Sequence, residues 1–374
     1  MKTLLYGGRV LSREGKWLEG CPILIEDGVI RAIGGDAENA EADQRQDVTG
    51  KSILPGLCDV HTHGRIGYDF STADAEQMMR MKEDYARHGV TTVFPTLASD
   101  TLAGWQRSIS TVQSCGFDGI HLEGRYLNPT RRGAHPEALL APLDADELNL
   151  ILSEISIPCH VSAAFELDRD GSFSRTALAH GATLGIGHTD ATTDQTRLAI
   201  ERGVSSFTHL YNTMPPLNHR AGGAVSVALT GNCFAELIAD GFHVAPEMVA
   251  LAYRCLGKDR LVLISDSMEA TCMPDGDYAI AGQPVKVENG RARTLDGAVA
   301  GSTLNLWDGV LNLSRFAEIP LEDAVICATL TPARMMGIAD RVGSIEAGKR
   351  ADLLIVEGEG TLVGVISAGV LLNI

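Results

Sequence analysis

Short apolar segments that each end in a histidine or a carboxylate recur along this chain, with helical patterns between them. The segments end at Glu123 in FDGIHLEG, His188 in ATLGIGHTD, His209 in VSSFTHLYN and Asp266 in RLVLISDSM. Residues 75–89 and 193–203 have the helical pattern. This alternation predicts an α/β fold with a parallel sheet. If the sheet closes into a barrel, all the strand ends meet at one mouth, where barrel enzymes carry their chemistry.

The sequence His61-Thr62-His63 ends the first of these segments and points to a bound cation. Apolar residues precede the pair in SILPGLCDV, and Gly64 follows it as an exit from the strand. Side chains at positions i and i+2 of a strand share a face, so the two imidazoles can hold one ion. A chance pair among 11 histidines is the alternative. The ligand-type residues at the later strand ends favour the metal site.

The length of the chain and the pattern at its two ends predict one barrel with a small companion domain. The 374 residues exceed the roughly 250 of a typical barrel. Near both ends, apolar and polar residues alternate between Gly and Asp turns, which indicates short strands. At the N-terminus we expect an antiparallel meander. We therefore predict a (β/α)8 TIM-like barrel over residues 55–337 and a small β-sandwich formed by residues 1–54 together with 338–374.

The composition argues against some classes of partner. A formal net charge of −17 disfavours nucleic acid and anionic membranes, since both bind basic surfaces. No apolar run approaches the roughly 18 residues of a membrane span, and a signal-peptide core is lacking. Eight scattered cysteines without a Cys-x-x-Cys pair indicate reduced thiols. We therefore expect a cytoplasmic protein that binds neither nucleic acid nor a membrane.

Several segments together carry a resemblance to a known family. The segment GGRVLSREGKWLEGCPILIEDGVIRAIG, the strand ILPGLCDVHTHG and the segment VGSIEAGKRADLLIVEG resemble the amidohydrolase superfamily, whose members are metal-dependent hydrolases on a (β/α)8 barrel. HLEGRYLNPTRRGAH, GIGHTDAT, THLYNTMPPL, LIADGFHV, LISDSMEATCMPDGDY and AVAGSTLNLWDGV, in this order, resemble the N-acetylglucosamine-6-phosphate deacetylases within it. The resemblance implies hydrolysis of the acetamide of N-acetylglucosamine-6-phosphate to glucosamine-6-phosphate and acetate.

The resemblance implies a divalent metal at the barrel mouth. Glu123, His188 and His209 match the ligands of the principal metal. His61 and His63 raise the possibility of a second ion, so one or two ions per subunit are open. Histidine and carboxylate ligands suit Zn²⁺, our first expectation, and also Fe, Co or Mn. Such a cation lowers the pKa of bound water to about 7, which makes an attacking hydroxide available.

Two further residues are expected to take part in the chemistry. Asp266 is the candidate general base and acid, which takes a proton from the attacking water and delivers one to the leaving amine. The alternative is an N-cap of the next helix, which an Asn would keep. His135 in RRGAHPE matches the family histidine that reaches the substrate carbonyl, where it would stabilise the oxyanion. A solvated surface histidine is its alternative.

The remaining matches concern the phosphorylated sugar. In the resembling enzymes an arginine at the position of Arg220 binds the 6-phosphate, and a fork-shaped guanidinium suits that role. An ordinary surface arginine is the alternative. The expected substrate-binding residues are Ala134, His135, Asn212, Thr213, Arg220, Asp240, His243 and Gly301. Part of the pocket is expected from a neighbouring subunit, which favours a homodimer.

Departures from the family pattern leave the substrate open. Arg125 replaces a proline after HLEG, and it could bind substrate, pair with Glu123 or face solvent. Ala221-Gly222-Gly223 replaces Glu-Pro-Gly, which should make the loop that carries Arg220 more mobile. The alternatives are a sister hydrolase acting on N-acetylgalactosamine-6-phosphate, another N-acyl amine or a cyclic amide, and a non-catalytic metal- or sugar-binding barrel. A binding protein has no need of a proton shuttle beside a metal, which disfavours the last of these.

Overall fold

A computed structural model describes residues 1–372 of the chain, and its central part is a (β/α)8 barrel. Eight parallel strands are hydrogen-bonded in chain order: β1 (Leu57–Thr62), β2 (Val90–Leu97), β3 (Ile120–Glu123), β4 (Cys159–Ala163), β5 (Thr183–Ile186), β6 (Ser206–Phe207), β7 (Phe234–Ile238) and β8 (Leu261–Ile264). One helix follows each strand: α1 (Ala75–Arg87), α2 (Leu102–Ser114), α3 (Ala145–Ser153), α4 (Ser172–Ala179), α5 (Thr193–Glu201), α6 (Gly223–Thr230), α7 (Pro246–Leu256) and α8 (Leu306–Ala317). The predicted fold class is confirmed.

Capping residues fix where the predicted helices begin. Helix α1 begins after Asp74, whose side chain accepts the backbone N–H of Gln77 while the Gln77 side chain bonds back. This reciprocal capping box satisfies two donors that a helix end leaves free. Thr192 and Gln195 cap α5 in the same way. Both helices thus begin next to a loop of the barrel mouth.

The barrel closes through bonds between its first and last strands. The Asp59 side chain on β1 accepts from the Ser265 hydroxyl (2.5 Å) and from the Ser265 backbone N–H (3.3 Å). One residue further, the N–H of Asp266 donates to the carbonyl oxygen of His61 (3.0 Å). Closure therefore holds two predicted site residues, one from each end of the sheet, side by side.

Strands from both ends of the chain build two additional sheets that share one apolar core. One sheet contains Val29–Ile33, Ile23–Glu26, Lys2–Tyr6 and Gln44–Asp47, and the other contains Val370–Leu372, Thr361–Ser367, Leu353–Glu357, Ser52–Pro55, Arg9–Leu11 and Trp17–Leu18. Leu5, Ile53 and Leu353 pack together in their core. This separate domain agrees with the expectation, while its boundaries at residues 54 and 338 stay a prediction.

The predicted antiparallel meander at the N-terminus is only partly correct. Lys2–Tyr6 pairs antiparallel with Ile23–Glu26, but it pairs parallel with Gln44–Asp47. Arg9–Leu11 likewise pairs parallel with Ser52–Pro55. Alternation of apolar and polar residues gives the face of a strand and not its neighbour, so sequence alone could not supply these pairings.

A three-stranded sheet between β8 and α8 was not predicted. Its strands are Gly276–Ile280, Gln283–Glu288 and Arg291–Thr294, and they pair antiparallel. Gly64–Arg65 and Tyr68–Asp69 form a small hairpin after β1, and the short helices Leu321–Cys327 and Leu330–Met335 follow α8. The three-stranded sheet, called the cover hairpin below, places Ile280 against the barrel mouth.

Two further properties concern the whole described chain. The eight cysteines carry free thiols, as expected for a reduced protein. Within residues 1–372, no helix is long and apolar enough to cross a membrane.

Candidate active site

The ends of five barrel strands bring the predicted ligands and the predicted proton carrier together. His61, His63, Glu123, His188, His209 and Asp266 are all buried, with at most 7% of each residue exposed. His188, His209 and Asp266 follow their strands with φ of +47°, +31° and +49°. Such backbone conformations are strained for residues other than glycine and persist where the surrounding structure enforces them, often at functional sites.

The donor atoms form two groups that share Glu123. Glu123 Oε1 lies 2.9 Å from His209 Nε2 and 3.3 Å from His188 Nε2, which are themselves 3.1 Å apart. Glu123 Oε2 lies 3.0 Å from His63 Nε2 and 3.3 Å from His61 Nε2. Each group of three offers ligand atoms within 4.8 Å of one another. The carboxylate of Glu123 can therefore serve one ion with each oxygen.

Hydrogen bonds on the far sides of the rings turn the ligand nitrogens into the site. His188 Nδ1 donates to the backbone oxygen of Arg131 (2.9 Å), and His61 Nδ1 donates to Glu236 Oε2 (2.9 Å). Each bond fixes the tautomer that leaves the Nε2 lone pair free. His61 Nε2 and Asp266 Oδ1 are buried without a hydrogen-bond partner among the described residues. Buried polar atoms normally have partners, so this set of facing N and O donors fits a divalent cation.

The charges of the site depend on burial and on its own members. Burial raises the pKa of Asp266, but the imidazoles of His61 and His63 lower it to about 2. Burial lowers the pKa of His63, but the carboxylates of Asp266 and Glu123 raise it to about 9. The pKa of Glu123 lies well below its ordinary value, against the effect of burial, because histidines surround it. A bound cation would take the place of the imidazole protons, since metal ligands must be deprotonated.

His135 faces the same centre as a neutral ring. Burial and the neighbouring His188 lower the pKa of His135 to about 3. The backbone N–H of Ser99 donates to His135 Nδ1 (3.3 Å), and the Ser99 hydroxyl lies 2.9 Å from the same nitrogen. Because Nδ1 accepts, Nε2 carries the proton, and Nε2 lies 3.8 Å from Glu123 Oε2. His135 is therefore buried, not solvated, and presents an N–H donor to the mouth.

A cavity of about 260 Å³ opens above these residues and contains most of the expected substrate-binding set. Its lining includes Ala134, His135, Asn212, Thr213, His243 and Gly301, together with Ile280 from the cover hairpin. Asp240 stands behind the cavity, where its Oδ2 lies 2.6 Å from His243 Nδ1. Arg220 lies on an exposed loop outside the lining. Among residues 1–372, no lysine or arginine lines this cavity.

Comparison with known proteins gives the family. The model of the amidohydrolase family matches residues 52–372. The chain belongs to the amidohydrolase family. Such enzymes hydrolyse carbon–nitrogen bonds of amides with a bound metal, so this chain is a metal-dependent hydrolase of that class, and the resemblance inferred from its motifs is confirmed.

Relatives of this amidohydrolase cover nearly its whole length. It is 34% identical to the N-acetylglucosamine-6-phosphate deacetylase of Vibrio furnissii, over 92% of this chain and 88% of the relative. It is 33% identical to the N-acetylgalactosamine-6-phosphate deacetylase of Escherichia coli O157:H7, over 96% of both chains. The structure of the N-acetyl-D-glucosamine-6-phosphate deacetylase of Mycobacterium smegmatis, with 31% identity, superposes with a TM-score of 0.92 over 99% of both chains.

Arg125, the departure closest to the metal glutamate, is directed away from it in this amidohydrolase. Its Nε lies 3.1 Å from Glu147 Oε1 on α3, and its Nη1 donates to the backbone oxygen of Asp100 (3.0 Å). Its backbone N–H donates to Ser99 Oγ (2.8 Å). None of the three roles left open by the sequence applies. Arg125 instead connects the loop after β3 to the loop after β2 and to helix α3.

Sequence reasoning missed two residues that support this amidohydrolase site, Glu236 and Ser99. Glu236 interrupts the apolar run FAELIA, and a lone carboxyl in such a run is a signal that the sequence offers. The structure shows this side chain fully buried. Ser99 comes shortly after the end of β2, as His188 and His209 come shortly after the ends of β5 and β6. Its proximity to His135 depends on how two loops fold, and no sequence pattern gave it.

Proposed function

We propose that this amidohydrolase removes the acetyl group from N-acetylglucosamine-6-phosphate, which gives glucosamine-6-phosphate and acetate. One observation carries the proposal: Glu123, His188, His209 and Asp266 surround the floor of a cavity whose walls are the residues expected to bind sugar and phosphate. The names of two of the relatives described above support the same substrate.

In this proposal Glu123, His188 and His209 hold the principal divalent cation, and His61 and His63 with Glu123 hold a second. The imidazole and carboxylate donors suit Zn²⁺ first, with Fe, Co and Mn as alternatives. When bound, the metal supplies an activated water and polarises the amide carbonyl. The residues of the chain then provide proton transfer, oxyanion stabilisation and binding of the sugar.

Asp266 and His135 divide the proton chemistry. Asp266, ionised by its low pKa and bearing an unpartnered Oδ1, accepts a proton from the attacking water and delivers it to the amine nitrogen as the C–N bond breaks. His135 donates its Nε2–H to the carbonyl oxygen as negative charge develops there. A neutral ring suits this role, because it keeps the donor fixed and does not lower the affinity for the cations beside it.

The phosphate requires more than one chain in this proposal. Asn212, Thr213 and His243 line the cavity and offer backbone and side-chain donors, yet the positive charge that a phosphate dianion needs is absent from its described lining. Arg220 lies exposed and outside that lining. We infer that Arg220 completes the site of a partner subunit in a homodimer. The free thiols support a cytoplasmic enzyme.

N-acetylgalactosamine-6-phosphate is the second candidate substrate. A relative named for that activity is 33% identical over 96% of the chain, almost the identity of the N-acetylglucosamine relative. The two sugars differ only in the configuration at one hydroxyl, which is on a different ring carbon from the acetamide that is hydrolysed. The choice therefore depends on the walls of the cavity and not on its chemistry.

An acetate-release assay tests the proposal. The panel contains N-acetylglucosamine-6-phosphate, N-acetylgalactosamine-6-phosphate and unphosphorylated N-acetylglucosamine, with metal content measured on the same samples and Asp266→Asn as the matched control. We expect the highest kcat/KM for N-acetylglucosamine-6-phosphate. Preference for the galactose epimer would select the second candidate, and indifference to the phosphate would contradict the roles of Asn212, His243 and Arg220.

A further inference from the structure

A glutamate inside the barrel, which no motif singled out, is the most unusual buried group near the site. Glu236 lies on β7 and is fully buried. It shares a strand face with Phe234 and Ile238, which contact the apolar interior of the barrel. Burial of a carboxylate is costly unless specific partners compensate for it. Its partners therefore indicate why the chain keeps it.

One oxygen of Glu236 contacts a ligand from each donor group. Glu236 Oε2 accepts from His61 Nδ1 (2.9 Å) and from the backbone N–H of His209 (3.2 Å). On the opposite side of the ring, His61 Nε2 faces Glu123 Oε2 at 3.3 Å and Asp266 Oδ1 at 3.6 Å. The imidazole of His61 thus lies between the carboxylate of Glu236 on one side and those of Glu123 and Asp266 on the other. A carboxylate behind a histidine would orient that ring as a ligand and make it more basic.

We propose that Glu236 is the positioning residue that makes the His61 and His63 half of the metal centre bind its cation. The inference rests on the proposed metal centre and names what maintains its second position. Without the carboxylate, His61 Nδ1 has no acceptor, and the ring can rotate or take the other tautomer, which places N–H toward Glu123.

The effect is specific to the His61 side for a geometric reason. The other ligand that Glu236 contacts, His209, is bound through its backbone, and the neighbouring Leu210 N–H donates to the backbone oxygen of Glu236 (2.8 Å). That bond survives every substitution of the side chain. The Glu123, His188 and His209 group is therefore retained when the carboxylate is removed.

Metal titration of the apo-enzyme tests this assignment. Chelator-treated wild type, Glu236→Gln, Glu236→Leu and His61→Asn are titrated with Zn²⁺ in a calorimeter, and bound zinc is measured after gel filtration. We expect two equivalents for wild type and one for Glu236→Leu and His61→Asn. Glu236→Gln keeps an acceptor oxygen but loses the charge, so its second equivalent should bind about 10–100-fold more weakly.

His160→Gln is the matched control, because His160 is also fully buried and its Nε2 lies 3.8 Å from the other oxygen of Glu236. It should keep two equivalents. Wild-type affinities in both Glu236 variants, one equivalent in wild type, or equal loss in His160→Gln would each overturn the proposal. If Glu236→Leu does not fold, Glu236→Gln decides. Two zinc equivalents without deacetylase activity would instead refute the proposed function and leave this inference standing.

Discussion

At the scale of single residues, the site combines strained backbone with unpartnered donors. His188, His209 and Asp266 adopt left-handed conformations, and each costs of the order of 1–3 kcal/mol. The backbone bonds from Leu210 N–H to the Glu236 oxygen and from Asp266 N–H to the His61 oxygen hold two of them in place. These strained conformations direct three side chains toward the proposed metal centre immediately after their strands end.

The first prediction concerns the proton carrier. Asp266→Asn keeps the shape of the side chain but removes the carboxylate that takes up the proton, so we expect kcat to fall about 10²–10⁴-fold. Zinc analysis and the acetate-release assay measure the two parts of this prediction. Metal content should stay at the wild-type value, and near-normal turnover with full metal content would exclude the role of Asp266.

The second prediction separates His135 from the residue that orients it. His135→Gln removes the ring N–H, and kcat should fall about 10²–10³-fold, as for loss of an oxyanion donor. Ser99→Ala removes the hydroxyl beside His135 Nδ1 but leaves the backbone donor, so its loss should be about tenfold or less. Steady-state kinetics at saturating metal measure both. A larger effect of Ser99→Ala would contradict the assigned order.

These residues also show what a sequence can predict about a site. Glu123, His188, His209 and Asp266 each end an apolar run, so their convergence follows once the fold is a barrel. Ser99 and Glu236 act through contacts between loops or across the barrel interior, which depend on which way a strand faces and which strands adjoin it. The exposed position of Arg220 outside its own cavity also depends on three-dimensional packing, which its sequence context does not give.

At the scale of elements, the cover hairpin is what closes the cavity on the side away from the barrel. Phe242, which adjoins the cavity residue His243, lies with its ring 5.0 Å from the guanidinium carbons of both Arg291 and Arg293 on the last hairpin strand. Exposed cation–π pairs contribute about 0.5–1 kcal/mol each. The hairpin is therefore held over the mouth by a contact of modest strength.

The third prediction tests that contact. Phe242→Leu keeps an apolar side chain and removes the ring. The fraction of molecules in which the cover hairpin has moved off the mouth should therefore rise about 5–30-fold. We expect faster limited proteolysis within residues 276–294 and a higher KM, with kcat little changed. Tyr6→Leu, which removes an exposed cation–π pair with Arg45 in the small domain, is the control. Equal proteolysis rates in wild type and Phe242→Leu would contradict the contact.

The fourth prediction concerns the segment that leads back from the barrel to the small domain. Glu346 lies 2.9 Å from Lys349 Nζ and 3.2 Å from Arg13 Nη1. Partial burial raises the pKa of Glu346, but bonds from Ser344 and Lys349 lower it to about 2. A lowered pKa in the folded state stabilises the protein at pH values above about 4.3, the pKa of a glutamate in the unfolded chain. This stabilisation is lost as the pH falls toward 2.

Thermal unfolding of wild type and Glu346→Gln at pH 7 and pH 3.5 measures this linkage. Glu346→Gln should lower the midpoint at pH 7, and the difference from wild type should shrink at pH 3.5. Glu14→Gln, at an exposed carboxyl, serves as the control. A difference that stays constant between the two pH values would exclude Glu346 as the titrating group.

At the scale of the whole molecule, the barrel and a small domain built from both termini were predictable, whereas the cover hairpin and the pairings of the N-terminal strands were not. Eight strands and eight helices alternate because each apolar run needs a helix to cover it, and five of the strand ends and two of the helical patterns are visible in the sequence. The cover hairpin and the parallel pairings of the N-terminal strands depend on partners that are distant or only partly buried. Periodicity carries little information about such contacts.

The fifth prediction tests whether two chains share one site. Subunits with Asp266→Asn and subunits with Arg220→Ala are each expected to be poorly active alone. If Arg220 serves the partner, a mixed dimer contains one site with both groups, and random reassociation should restore about a quarter of wild-type activity. Mixing after mild dissociation, followed by the acetate-release assay, measures this recovery. No recovery in verified mixed dimers would place Arg220 in the site of its own chain.

The pairing of Ser52–Pro55 with Leu353–Glu357 has a consequence for protein synthesis. About 300 residues separate the two strands, so at 5–20 residues per second a ribosome makes the second roughly 15–60 s after the first. During that interval the earlier strand has an unpaired edge, and the apolar side chain of Ile53 is exposed to solvent. Folding of the small domain must therefore wait until the second strand has been made, and until then the nascent chain is a natural client for chaperones that shield such edges.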